Sequence, residues 1–333
     1  MVNVGRLAGK QILVGLALFA CVAAPIWAQG NDNYPSRPIK LIITWPVGGF
    51  ADTLGRTIAT QLGQILGQQV VVENRGGANG MIGADLVAKS APDGYTLMFQ
   101  SITSHAINPT MYGKTPYSTE KDIVPLAVVA AVPLLLVANP SFPAKNINEL
   151  IALAKKEPDR LSYASFGNGS ASHLAGALFT SQAGIKMVHV PYKGGGPAIT
   201  DTLGGQIPLS FSAFGLALPH VKAGKLMALG ITSNTRSKLL PETPTIEEAG
   251  NLKGYEMSII YAVWAPAGVP NSIMNKLDKA LESVIGSNAF KEKVASDGGE
   301  VMNLVSPTES QVFFQKEMLR LAKIVKEGNI KAD

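Results

Sequence analysis

Two hydrophobic patterns alternate along the chain. Short apolar runs such as Ile39-Lys40-Leu41-Ile42-Ile43, Gln69-Val70-Val71-Val72-Glu73 and Thr96-Leu97-Met98-Phe99 read as buried strands. Between the first two, Leu54, Ile58, Leu62, Ile65 and Leu66 recur at helical spacing, and Gly67 marks the helix end. A second helix is expected over residues 81–90. This βαβαβ rhythm predicts a parallel sheet with helices on both faces. It returns in the second half, where strand-like 161–164 leads to a helix over 174–183 and Val188-His189-Val190 leads to a helix over 198–203. Residues 209–212 and 227–231 read as further strands, and a last helical region runs from about 271 to 331 with a break near 296–307.

Two longer apolar runs, 126–137 and 259–264, separate these blocks. Each ends in a proline turn, Asn139-Pro140 and Pro266-Ala267-Gly268. A chain crossing twice between two lobes has this pattern. The expected organisation is a first lobe over 29–130, a second over 131–257, and a return to the first over 258–333.

Residues 1–28 follow another logic. Arg6 and Lys10 precede an uncharged stretch that ends in Ile26-Trp27-Ala28, the pattern of a secretory signal peptide. Leu18-Phe19-Ala20-Cys21 loosely resembles a lipoprotein box, but Phe19 fits it poorly and the apolar run continues past the cysteine. Cleavage after Ala28 removes 28 of the 333 residues and two of the 29 basic side chains, leaving 305 residues at a net charge of +3. The only cysteine leaves with them, which suits an oxidising periplasm.

Charge adds a constraint. Only 16% of the residues are charged, against roughly 25% in an average soluble domain. The basic residues are dispersed, so the net charge of +5 on the full chain does not imply nucleic-acid binding.

The candidate chemistry lies in turns that follow strands. In open α/β sheets, ligands bind outside the carboxyl ends of strands. Pro46-Val47-Gly48-Gly49-Phe50-Ala51-Asp52 joins a strand to a helix, and its glycines let backbone approach a ligand. A helix start there favours an anion, with Asp52 expected to cap the helix or fix the loop. Ser165-Phe166-Gly167-Asn168-Gly169-Ser170-Ala171-Ser172-His173 offers hydroxyls and glycines before the next helix, with Ser170 or Ser172 suited to cap it. Tyr192-Lys193-Gly194-Gly195-Gly196-Pro197 resembles a phosphate cradle only superficially, because its lysine precedes the glycines.

Enzyme signatures are absent from the sequence. His105, His173, His189 and His220 show no metal-ligand spacing, and no G-x-S-x-G elbow occurs. No catalytic residue, cofactor or metal is expected. A hydrolase using a loop serine would need a general base beside it, and no neighbouring position supplies one.

Several segments in order resemble the Bug family of extracytoplasmic solute receptors, the binding proteins of tripartite tricarboxylate transporters. They are Tyr34-Pro35-Ser36-Arg37-Pro38-Ile39, the P-x-G-G-x-x-D turn from Pro46 to Asp52, Val72-Glu73-Asn74-Arg75-Gly76-Gly77-Ala78, Ala91-Pro92-Asp93-Gly94-Tyr95-Thr96-Leu97 and His105-Ala106-Ile107-Asn108-Pro109. Gly167-Asn168-Gly169 with Ser172-His173-Leu174, Val190-Pro191-Tyr192-Lys193-Gly194, and Leu239, Pro241, Thr243, Pro244 and Thr245 continue it. The resemblance implies an α/β, two-lobed periplasmic binding protein of type II-like, Venus-flytrap form, each lobe a mainly parallel sheet flanked by helices. It implies closure on a small carboxylate, with delivery to membrane permease subunits by a monomeric receptor. Carried over by position, the ligand-binding residues are Phe50, Ala51 and Asp52 from one lobe and Ser165, Gly167, Gly169, Ser170 and Ser172 from the other, with Ser101 after the third strand and Ser212 after Phe211 as further candidates. Many relatives have glycine in place of Phe50 and aspartate in place of Ser212. Both departures point away from an amino acid and toward an aromatic acid or a dicarboxylate. A ligand sensor for a membrane signalling system would share all these features.

Overall fold

The computed structural model describes residues 33–328 and residue 330. The expected export segment, with Cys21, lies outside the described residues. Strand β1 (Ile39–Ile43) is buried everywhere except Lys40. Helix α1 (Phe50–Leu66) opens after extended Gly49, buries Leu54, Ile58 and Leu62, and stops at left-handed Gly67. Then follow β2 (Val70–Asn74), α2 (Met81–Ala88), and β3 (Thr96–Ser101), which runs directly into α3 (Ile102–Tyr112). β1 pairs in parallel with β2 on one edge and β3 on the other.

The next block holds β4 (Ile123–Ala138), α4 (Ile147–Lys156), β5 (Ser162–Ser165), α5 (Ala171–Ala183), β6 (Val188–Pro191) and α6 (Gly195–Leu203). It continues with β7 (Leu209–Ala213), α7 (Phe214–Lys222), β8 (Met227–Ile231) and the short α8 (Ile246–Gly250). The chain returns through β9 (Ser258–Pro266) and ends with α9 (Asn271–Gly286), α10 (Asn288–Ser296), β10 (Glu300–Leu304) and α11 (Pro307–Glu327).

The strand order is β2-β1-β3-β9-β4-β7-β5-β6, with β8 and β10 also paired to β4. β5 pairs in parallel with β6 and β7, as β1 does with its neighbours. Every antiparallel pairing involves β4 or β9. These two strands are the long apolar runs of the sequence. β4 is paired on both edges and almost wholly buried, so it shows no polar alternation. Up to Pro133 it pairs with β9, and from Leu134 onward it pairs with β7 and β8. Pro125, which has no N–H to give the ladder, sits at one of its register shifts. β4 thus runs through both α/β halves, while β9 pairs with β3 and with β4 up to Pro133.

The C-terminal region differs from the sequence expectation. The gap at 296–307 contains β10, antiparallel to β4. Its five residues are half-buried or exposed, too short and too weakly alternating to signal a strand.

Candidate ligand-binding site

Five strands, β1, β3, β5, β6 and β7, each feed a helix: α1, α3, α5, α6 and α7. The starts of all five helices line one cleft of about 510 Å³. Gly48, Gly49, Phe50 and Ala51 come from α1, and Ser101 and Ser104 from α3. Ser170 and Ala171 come from α5, Gly194, Gly195 and Gly196 from α6, and Ala213 and Gly215 from α7. The first N–H groups of a helix have no intrahelical partner, and they lie at the positive end of its dipole. Gathering five such ends gives an anion site without a basic patch. Trp45, Phe166, Leu216, Ile259 and Tyr261 supply apolar wall, and the volume suits a small molecule.

Four residues selected from the sequence line this cleft: Phe50, Ala51, Ser101 and Ser170. Ser101 caps α3, its Oγ accepting from Ser104 N–H at 3.5 Å. Ser170 caps α5 by accepting from His173 N–H at 3.2 Å, while its hydroxyl donates to Gly167 O at 2.7 Å. The Phe50 ring packs at 5.4 Å from the Tyr261 ring, which stacks on Phe99 at 5.4 Å.

The other six are not on the cleft wall. Asp52 is buried and turned back into its own loop. Its carboxylate accepts from Gly48 N–H at 3.0 Å, Arg56 Nε at 3.0 Å and Asn74 Nδ2 at 2.9 Å. Burial opposes its ionisation, but these hydrogen bonds and the Arg56 charge outweigh burial and hold its pKa below the usual carboxylate value. Asp52 therefore braces the glycine turn. Gly167 and Gly169 adopt left-handed backbone at φ 126° and 70° and shape the second loop. Gly169 O also accepts from Asn79 Nδ2 at 3.1 Å, tying that loop to the start of α2. Ser172 Oγ donates to Phe211 O at 2.5 Å, fastening α5 to β7. Ser212 Oγ is buried without a hydrogen-bond partner.

Ser165 is paired where the sequence suggested no partner. Its Oγ lies 2.6 Å from His189 Nε2 and also accepts from Gly167 N–H at 3.1 Å. His189 stacks on His173 with ring centroids 3.6 Å apart. Burial, with the repulsion of His173, pushes the His189 pKa down to about 3. A general base works best with a pKa near the operating pH. Burial favours the neutral imidazole, and Ser165 is fully buried and not among the residues lining the cleft. The pair builds the loop.

Sequence reasoning missed half the wall. The Lys193 to Gly196 turn, set aside as a poor phosphate cradle, is the start of α6 and lines the cleft. Its strand–glycine–helix grammar, the same as in the other loops, was the available signal. Gly215, Tyr261, Lys293 and Asp297 also line it. Lys293 and Asp297 face each other one turn apart on and just after α10, at 2.7 Å. Nothing local in the sequence marks either as a cleft residue.

Two α/β halves joined by crossing strands, with helix starts from both converging on one cleft, define a two-lobed solute receptor of the periplasmic binding protein class. The chain belongs to the family described as "Tripartite tricarboxylate transporter family receptor", whose model matches residues 54–330. It is 37% identical to protein BugT of Bordetella pertussis, covering 96% of this chain and 98% of BugT. The structure of R. palustris Rpa4515 with adipate is similar at a TM-score of 0.84 and 34% identity, covering 90% of this chain and 99% of that one. Periplasmic binding protein BugD is similar at a TM-score of 0.81 and 33% identity, covering 90% of this chain and 100% of BugD.

Proposed function

We propose that this receptor captures a small carboxylate in the periplasm by closing its two lobes on it, and presents the closed form to permease subunits in the membrane. The observation that carries this reading is the convergence of five helix starts on one cleft, with Ser101 and Ser104 among its lining residues. A carboxylate there gains charge-assisted hydrogen bonds from N–H and O–H donors. The similar protein Rpa4515 was solved with adipate, a carboxylate. In this reading the lobes are 29–130 with 258–333, and 131–257, and they move about the crossing strands β4 and β9. Ligand touches both lobes only when they are closed, so binding shifts the population toward that form. Export rests on residues 1–28, with cleavage after Ala28 favoured over acylation of Cys21, and the receptor acts as a monomer. A receptor role is favoured over a hydrolase, because Ser165, paired with His189, is fully buried and not among the residues lining the cleft.

The test is a thermal-shift screen of carboxylates, since a ligand that binds only the folded state raises its stability. At least one small carboxylate should raise the midpoint and, in small-angle X-ray scattering, reduce the radius of gyration. A screen in which amines or neutral sugars stabilise the protein and carboxylates do not would refute the assignment.

A further inference from the structure

Most of the cleft is uncharged, but two lysines line it: Lys193 at the start of α6 and Lys293 on α10, and only Lys293 is held there by an aromatic ring and a carboxylate that also line the cleft. Lys293 lies with its Nζ 5.1 Å from the centre of the Phe50 ring and 2.7 Å from Asp297 Oδ2. Its side chain is only 29% exposed and that of Asp297 only 13%, so the pair is largely removed from bulk water. An exposed i,i+4 pair contributes little wherever it sits. A half-buried one on a cleft wall is a different object.

The position of Lys293 is fixed from several sides. The aromatic face of Phe50 attracts the ammonium, and Phe50 is itself held against Tyr261. Asp297 is also held: it packs so closely on Gly215, in the first turn of α7, that a β-carbon there would collide with its carboxylate. The lysine is therefore posted by contacts from α1, α7 and β9. An ammonium carries three donors, and the Asp297 oxygen and the ring face leave it capacity toward the cleft.

In the reading proposed above, the helix starts hold one carboxylate and leave Lys293 for the rest of the ligand. The apolar wall of Ile259, Tyr261 and Leu216 offers nothing charged to the rest of a ligand. We propose that Lys293, positioned by Phe50 and Asp297, reads a second acidic group, so that the cleft selects aliphatic dicarboxylates over monocarboxylates of the same length. This rests on the carboxylate reading above and adds a specificity-determining residue to it. Asp297 has two effects. It keeps the cation in place while the cleft is empty, and it competes with the ligand for that cation when the cleft fills.

The test is calorimetric titration of the mature chain with dicarboxylates from succinate to suberate, each beside its monocarboxylate. The wild type should bind its best dicarboxylate at least ten-fold more tightly than the matching monocarboxylate. Lys293→Met should erase that preference by weakening dicarboxylate binding about ten-fold or more, the size of one lost charge-assisted bond, and monocarboxylate binding by much less. Lys293→Gln, which keeps a polar tip, should lose most of the preference, and Asp297→Asn should increase it. Circular dichroism checks that each variant folds. Equal affinity for the two ligand types in the wild type overturns the proposal, as does an equal loss of both in Lys293→Met. If no member of either series binds, this inference fails, and the wider thermal-shift screen of carboxylates decides separately whether the carboxylate reading fails with it.

Discussion

Asp52 shows why a carboxylate can lie one residue from an anion site without repelling the anion. Its oxygens are filled by the Gly48 N–H, Arg56 and Asn74, so its charge is spent inside the loop. The sequence reading carried Asp52 over as a ligand contact by position and expected it to fix the loop by chemistry; the structure shows the second behaviour. Asp52→Ala should leave these donors unpaired and destabilise the protein by about 2 kcal/mol, read as a lower urea midpoint. It should also weaken ligand binding by loosening Gly48 and Gly49. A variant of unchanged stability would show that Asp52 does not brace the turn. Buried His105 and half-buried His189 give a second test at this scale. Burial pushes His105 down to about 3, and burial with His173 does the same to His189. Each stays neutral in the fold while its unfolded counterpart gains a proton below about 6.5. Their contribution is therefore complete above that pH and is lost as pH falls toward 3, at roughly 1.4 kcal/mol per pH unit for each. Asp278, raised to about 6 chiefly by burial and then by Glu282 and Glu309, acts in the opposite sense. Denaturant midpoints should fall between pH 7 and pH 5, and His189→Gln should make that fall shallower. An identical slope in the variant would remove His189 from the account.

Helix starts are the elements that make this site, and they were unevenly visible. Pro46 to Asp52 and Ser165 to His173 are local: glycines and small hydroxyl residues stand between a strand and a helix within a few positions. The start of α3 lacks such a signal because β3 passes into it without a loop, and only Ser101 hints at a cap. The contribution of α7 includes a glycine, Gly215, whose importance depends on a residue from after α10, more than 80 positions away. No local pattern encodes that meeting. Gly215→Ala should force Asp297 off α7, displace α10 and lower ligand affinity by ten-fold or more in calorimetry. Removing the obstructing carboxylate in Gly215→Ala/Asp297→Ala should recover part of that loss. A double variant as weak as the single one would mean that the alanine harms α7 itself.

At the scale of the molecule, the repeated strand–helix rhythm and the two apolar crossings were legible because burial on both faces suppresses polar alternation over long stretches. What escaped was the direction of pairing. Antiparallel contacts enter only through β4 and β9, and pairing is a property of distant partners. The same scale gives meaning to the low charge density. Among the described residues lining the cleft, the charged side chains are Lys193, Lys293 and Asp297. A receptor that caught anions with a basic surface would lose affinity steeply with salt, because exposed charges are screened within about 10 Å at 0.1 M ionic strength. Donors on helix starts inside a closing cleft are screened far less. Affinity for the best carboxylate should therefore change by less than about three-fold between 20 and 300 mM sodium chloride, a range over which the Debye length shrinks several-fold. Titrations in chloride and in a bulkier anion would separate screening from direct competition for the site. A loss greater than ten-fold in both salts would shift the source of affinity from the helix starts to the two lysines.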